Sequence, residues 1–239
     1  MNKSKTIRNV GLHRLGVERT YKPQALIRHP DWNFRDLLSL AVGYRLATHS
    51  ECTFLQVGAF DGINNDPLHA LIDAFDLSGI LVEPQPDAFE VLKSTYRHHQ
   101  HLTFVQAAVS DRDEIRPFYT SRHQATQVAS FDREHLIKRN VPPHDIQEIQ
   151  MPCFTIGSLL SKYAVSAPDL IQIDTEGFDF EIIKSIDFKT VQPFVLRFEH
   201  EHLTKKDYSA SLELLAARGY QFFIEKKDVT AIRWAQLNS

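Results

Sequence analysis

Apolar positions along this chain follow two rhythms that trade places at short intervals. From Asp31 to Thr48 the apolar residues Phe34, Leu37, Leu38, Ala41 and Val42 recur at i, i+3, i+4, i+7 and i+8. That spacing predicts one helical face, with Asp31 placed to cap it. A short apolar run, Thr53 to Ala59, predicts a first strand. Asp66-Pro67 then predicts a helix start, with Asp as N-cap and Pro at the first helical position. Leu68, Leu71, Ile72 and Phe75 form its inner face. Gly79 to Glu83 reads as strand two, Pro86 to His99 as a helix and Leu102 to Val109 as strand three. Residues 114 to 121 read as a further extended piece.

The rhythm lapses in SRHQATQVASFDREHLIKRNVPPHD, residues 121 to 145. A stretch this long inside a compact domain is expected to carry function or to be disordered. It reads here as a substrate-side insertion, bounded at 121–147. Regular patterning then resumes. Strands are expected near Ile149 to Phe154, Asp169 to Asp174 and Pro193 to Phe198. Helices are expected at Ile156 to Tyr163, Asp179 to Ile186 and Lys205 to Arg218, the last ended by Gly219. Tyr220 to Lys226 and Val229 to Trp234 flank a Lys227-Asp228 turn and predict a C-terminal antiparallel hairpin. Repeated strand–helix units predict an α/β fold, a mainly parallel sheet with helices on both faces.

Composition narrows this picture. A chain of 239 residues, 43% hydrophobic, suits one α/β domain with a full core and a short extension. The expected division is 1–50, an N-terminal basic arm and helical extension, and 51–239, the main domain. The first 30 residues carry seven Lys or Arg against the single acid Glu18. They read either as an arm for an anionic partner or membrane surface, or as a solvated terminus. A net charge of −3 gives no general pull toward nucleic acid. Cys52 and Cys153 sit in or beside apolar runs, as free buried thiols do in a reducing compartment. No apolar run reaches the ~18 residues of a membrane span. The start also lacks the apolar core of a signal peptide, so a cytoplasmic location is expected.

Candidate chemistry follows from topology. Ligands of a doubly wound sheet bind at the carboxyl ends of its strands. The first strand ends in Gly58-Ala59-Phe60-Asp61-Gly62, and the second ends at Glu83, 25 residues after Gly58. A glycine turn admits backbone close to a ligand, and the acid can accept both hydroxyls of a ribose. A dinucleotide site would want three glycines facing a pyrophosphate. Asp61 would repel that pyrophosphate but suit a positive ligand such as the sulfonium of S-adenosylmethionine. Two further strands end in Asp174-Thr175-Glu176-Gly177 and Glu199-His200-Glu201-His202. A buried strand ending in an acid implies use, pairing or solvation. His200, flanked by acids, can serve as a general base, with Asp174 as second candidate. The same groups could instead hold a divalent metal, possible but not favoured, or cap the surface.

These residues also carry a resemblance. FLQVGAFDGINNDPL, GILVEPQPDAFEVL, FVQAAVSD, FTIGSLL, DLIQIDTEGFDFEIIKSID and VLRFEHEHL, spanning about 53 to 226, resemble the FkbM family of S-adenosylmethionine-dependent methyltransferases. The resemblance implies a Rossmann-like class I methyltransferase fold and O-methylation of a hydroxyl on a sugar, glycan or natural product. It implies that Gly58, Ala59 and Asp61 line the methionine end, Glu83 and Pro84 the ribose, and Ala107 the adenine edge. Asp174 would lie at the reacting end, with Glu176 and Glu199 toward the acceptor. Two positions depart from the pattern. The acid common in the first motif is Gln56, which shifts the expected methionine contact to Asp61. The lysine often found before the Ile-Asp pair is Gln172. A non-catalytic nucleoside-binding domain and an NAD-dependent oxidoreductase are the rival readings.

Overall fold

The computed structural model describes residues 36–165 and 167–234. The basic arm, Asp31 and Phe34 lie outside the described residues. A first helix, α1 (Leu37–His49), is capped by Asp36, whose carboxylate accepts from Ser39 N at 2.7 Å. The chain then runs β1 (Thr53–Val57), α2 (His69–Phe75), β2 (Ser78–Val82), α3 (Pro86–Thr95) and β3 (Leu102–Val105). Next come β4 (Ala108–Val109), β5 (Glu114–Ser121), α4 (Arg133–Lys138), β6 (Ile146–Phe154) and α5 (Ile156–Lys162). The last elements are β7 (Leu170–Ile173), α6 (Asp179–Ser185), β8 (Val195–Glu199), α7 (Lys205–Ala216), β9 (Gln221–Ile224) and β10 (Asp228–Ile232).

Seven strands form one sheet in the order β3-β2-β1-β7-β8-β10-β9. The pairs from β3 to β8 are parallel, and β10 runs antiparallel to both β8 and β9. The expected C-terminal hairpin is present, with its second strand inserted between β8 and β9. Both faces of the sheet are covered, so successive strand residues enter different cores. Leu55, Val57, Ile80 and Val82 join α5, α6 and α7 in one core. Phe54 and Leu81 join Leu38, Ala41 and Val42 of α1, with α2 and α3, in the other.

The order reverses at β1, where β2 and β3 lie to one side and β7 and β8 to the other. A cleft opens above such a reversal, because the connections leave in opposite directions.

Three expected boundaries shift. Asp66-Pro67 does not start α2. Asp66 Oδ1 instead accepts from Leu68 N at 2.7 Å and from Gln56 Nε2 at 2.9 Å, and the helix begins at His69. The third strand does not run to Val109. It stops at Val105, and Ala108–Val109 turns into a second sheet of order β4-β6-β5. The 121–145 stretch is not featureless. It joins the antiparallel ribbon β5–β6, holds α4, and bridges back through Tyr119 and Ser130.

Candidate active site

A cleft of about 490 Å³ lies at the carboxyl ends of β1, β2, β7 and β8. Its size falls among small-molecule sites. Of the candidate site residues, Gly58, Ala59, Glu83, Pro84, Ala107, Asp174, Glu176 and Glu199 line it. Asp61 and His200 are not among its lining residues.

Gly58 sets the close approach of β1 to β7. Its φ is +80°, and a Cβ there would stand 1.9 Å from the Asp174 carbonyl oxygen. Only glycine meets both demands. Its N–H and that of Ala59 both donate to Val82 O at 3.0 Å, which ties the turn to β2.

Glu83 is held by three hydrogen bonds. Its Oε2 accepts from Phe60 N at 2.9 Å, and its Oε1 accepts from Gln85 N at 2.8 Å and Gln85 Nε2 at 3.2 Å. A carboxylate offers about four lone-pair directions. Oε2 therefore retains one for a ligand hydroxyl. Burial pushes this carboxyl up to about 7 despite those donors. The Gln85 side chain extends the arrangement outward. It accepts from Thr120 Oγ1 at 2.7 Å and Thr126 N at 2.9 Å and donates to Thr126 O at 3.0 Å. Glu83 is thus coupled to the first residues of the insertion. Gln127 clasps the other side of the turn through Asn64 O and the Asn65 side chain.

Asp61 serves its own loop. Its Oδ1 accepts from Ile63 N at 2.9 Å and Asn64 N at 2.8 Å. Partial burial works to raise this carboxyl, but the bonds from Asn64 and Ile63 outweigh it and hold it below the usual range. The carboxylate that faces the cleft is Asp66, bonded to the amide of Gln56. Gln56 Oε1 is buried and has no hydrogen-bond partner among the described residues. Asp61, the expected methionine contact, is thus away from the cleft lining, while Gln56 and Asp66 are on it. Reading Asp66 as a helix cap hid this placement.

The other wall carries more charge. Burial first, then the charges of Asp179, Glu176 and Asp228, push Asp174 up to about 8, with Arg197 opposing. Among the described residues its carboxyl accepts no hydrogen bond. Burial and Asp174 push Glu199 up to about 9, and its Oε2 is buried without a hydrogen-bond partner among the described residues. Asp179, fully buried at the first position of α6, accepts from Thr175 Oγ1 at 2.9 Å and Glu199 N at 3.3 Å. It holds the tips of β7 and β8 together. Glu176 sits at φ +55°, a left-handed conformation unfavourable for a side-chain-bearing residue.

His200 is not brought to this wall. Its ring packs on Tyr208 with centroids 4.9 Å apart, and Nε2 lies 3.5 Å from Glu225 O. His202 lies two residues on, in the turn that follows β8, and that turn brings its ring to the cleft while His200 stays against α7. His202 Nε2 lies 3.2 Å from Glu176 Oε2 and 3.5 Å from Glu199 Oε2. His135 of α4 meets the same Glu176 oxygen at 3.0 Å. Its sequence context looks exposed, so it carries no signal of this placement. Burial first lowers the His202 imidazolium, with Arg139 and His135 adding to this and Glu176 opposing.

The sheet order and strand-end cleft are those of a class I methyltransferase. The sequence model of the methyltransferase FkbM domain matches residues 56–222. The chain belongs to the FkbM family of S-adenosylmethionine-dependent methyltransferases. An FkbM methyltransferase from Methylobacillus flagellatus KT is similar in structure, at 13% identity and a TM-score of 0.50, covering 95% of this chain. The chain spans 60% of that protein's length. Precorrin-6y C5,15-methyltransferase from Geobacter metallireducens GS-15 aligns at 13% identity and a TM-score of 0.42, covering 76% of this chain and 78% of that one. Among curated proteins no sequence matches. These structural likenesses speak to the fold alone. The cleft's own features are compatible with the methyl donor: a glycine at the β1 turn, the Glu83 carboxyl with a spare lone pair, and a Gln56 oxygen beside Asp66 that has no partner among the described residues. No described helix is long and apolar enough to cross a membrane.

Proposed function

We propose that this protein transfers a methyl group from S-adenosylmethionine to a hydroxyl of a sugar, glycan or natural product. The observation that carries this reading is the Asp174 carboxyl. It lies beside the Gly58 turn, faces the cleft and accepts no hydrogen bond among the described residues. The donor supplies a methyl on a sulfonium, ready for in-line displacement. Glu83 and Pro84 hold its ribose, Gly58 and Ala59 its methionine end with Gln56 and Asp66, and Ala107 its adenine edge. The attacking hydroxyl must lose a proton. Asp174 is placed to take it, because a base with ordinary affinity near neutral pH suits this task. Glu176 and Glu199 face the acceptor, and the dense polar rim suits a molecule with several hydroxyls.

The insertion covers this same end, and it contributes His135 and Arg139. Holding acceptor and donor in line is the larger share of catalysis for such a displacement. That share falls to the insertion and to the tips of β7 and β8.

Calorimetry with S-adenosylhomocysteine against NAD, followed by transfer of labelled methyl to a panel of hydroxylated acceptors, tests the proposal. Binding of the homocysteine product, rejection of NAD and label on oxygen are expected. Donor binding with no transfer to any acceptor would leave a nucleoside-binding domain without turnover. Label on nitrogen or carbon would overturn the O-methyl assignment.

A further inference from the structure

Three donor atoms, from His135, Glu176 and His202, converge between the insertion and the tips of β7 and β8, and Glu199 adjoins them through His202. Glu176 Oε2 is 3.0 Å from His135 Nε2 and 3.2 Å from His202 Nε2, and His202 Nε2 is 3.5 Å from Glu199 Oε2. Bonds of about 2.0–2.2 Å to one ion place tetrahedral donors roughly 3.3–3.6 Å apart, and octahedral neighbours somewhat closer. The 3.5 Å spacing falls in the tetrahedral range, and those of 3.0 and 3.2 Å lie nearer the octahedral one. The three residues His135, Glu176 and His202 come from α4, the β7 turn and the β8 turn. They are distant in sequence and mostly buried.

Hydrogen bonding explains only part of the cluster. The two imidazoles can each donate to Glu176, which satisfies that carboxylate. Glu199 is left out. It is 7% exposed, and its Oε2 faces the imidazole of His202 without a hydrogen bond. A buried carboxylate oxygen with no donor is costly. A cation seated among the four donors removes that cost.

We propose that His135, Glu176, His202 and Glu199 bind one divalent first-row transition ion of the Mn²⁺, Fe²⁺ or Zn²⁺ class. Two imidazoles with two carboxylates suit these ions better than Mg²⁺ or Ca²⁺, which take oxygen donors. Arg139 is the competing cation. Its guanidinium lies against both ring nitrogens of His202. It occupies the ring-nitrogen side of His202 and must withdraw when an ion enters.

The ion's role rests on the methyl-transfer reading. Asp174, Glu176 and Glu199 each place an oxygen within 4.8 Å of the others, so the ion would sit beside the proposed proton acceptor. An acceptor hydroxyl bound to it would ionise more readily. The proton would pass to Asp174, the oxygen lone pair would form the new bond to methyl, and the sulfonium would leave as the thioether.

The test uses the full chain, stripped with a chelator. It is titrated with Mn²⁺ by electron paramagnetic resonance and with Zn²⁺ by calorimetry. One ion per chain is expected. His135→Gln and His202→Gln should each weaken it at least tenfold, while Arg139→Gln should tighten it by removing the rival cation. No saturable binding of either ion overturns the proposal. So does affinity unchanged in both histidine variants, or weakened in Arg139→Gln. Arg139→Gln leaves the ligands and the core intact, so it remains informative if a histidine variant fails to fold. S-adenosylhomocysteine binding on the same stripped samples separates the two readings. Product bound without metal sinks only the ion, and metal bound without product sinks only the methyl donor.

Discussion

At the tip of β2 the Glu83 carboxyl accepts three hydrogen bonds, whereas at the tip of β7 the Asp174 carboxyl accepts none among the described residues. Both are drawn up by burial, to about 7 and about 8. The causes beside burial differ. Glu83 is surrounded by donors that hold its charge. Asp174 is surrounded by other carboxyls that oppose its charge. One wall of the cleft is finished before a ligand arrives, as a binding surface must be to avoid ordering costs. The other wall holds unmet charge, which stands where groups are used in chemistry. The contrast separates holding from reacting, and each prediction below presses on it.

The largest effect should come from the unfinished wall. Asp174→Asn keeps the shape and removes the proton acceptor. Turnover should fall roughly 10²–10⁴-fold. Product affinity, measured by calorimetry, should stay nearly intact. A parallel loss of affinity would show that Asp174 holds the donor rather than reacting, and the contrast would collapse.

Gly58→Ala strikes the joint between the walls. The new Cβ meets the Asp174 carbonyl at a positive φ, in a place where backbone cannot retreat. The variant should lose roughly 2–4 kcal/mol of stability, through left-handed strain and overpacking together. Urea unfolding followed by circular dichroism reads this directly. An unchanged midpoint would mean that β1 and β7 can part without cost.

The same division governs what the sequence discloses. The donor wall is local: Gly58, Ala59, Glu83 and Pro84 belong to two adjoining strand–turn units, and their spacing in the chain reports their spacing in space. Alternating strands and helices likewise disclose the parallel sheet. The acceptor wall joins α4, the β7 turn and the β8 turn, so its geometry depends on how three distant segments pack. His135 looks exposed in its polar stretch for that reason. His200 follows β8 directly and His202 lies in the turn beyond it, so the turn's geometry, and not the strand's period, decides which imidazole meets the cleft. Asp66 fails differently, since a residue before proline reads equally well as a helix cap. The short β4 was invisible because two residues carry no period.

Glu83→Ala should weaken product binding by about 1–3 kcal/mol, the loss of bonds to a charged group. Its pH dependence sharpens the point. The folded protein holds this proton up to about 7, against 4.5 when exposed. Its contribution to folding is therefore fully present below 4.5 and is lost as pH rises through about 7. Ligand binding runs the other way, because ribose hydroxyls donate to the carboxylate. Affinity should rise with pH up to about 7 and then level off. Glu83→Gln should flatten that rise. A slope that persists in Glu83→Gln would assign it to another group.

The smallest effect belongs to His200→Ala. His200 sits one residue from the acid that ends β8 and two from His202, so proximity in sequence alone would make it a candidate base. Its ring instead packs on Tyr208 of α7, behind the sheet tip. Removing it should cost a modest amount of packing, about 0.5–1.5 kcal/mol for an aromatic contact of this kind. Turnover and its pH profile should not move. His202→Ala, two residues on, should alter both. Measured side by side under saturating donor, the pair tests whether the turn after β8 separates the cleft side, at His202, from the α7 side, at His200. Equal losses in the two variants would mean that the strand tip is mobile enough to present either imidazole. The reacting wall would then be defined by motion rather than by the turn's geometry.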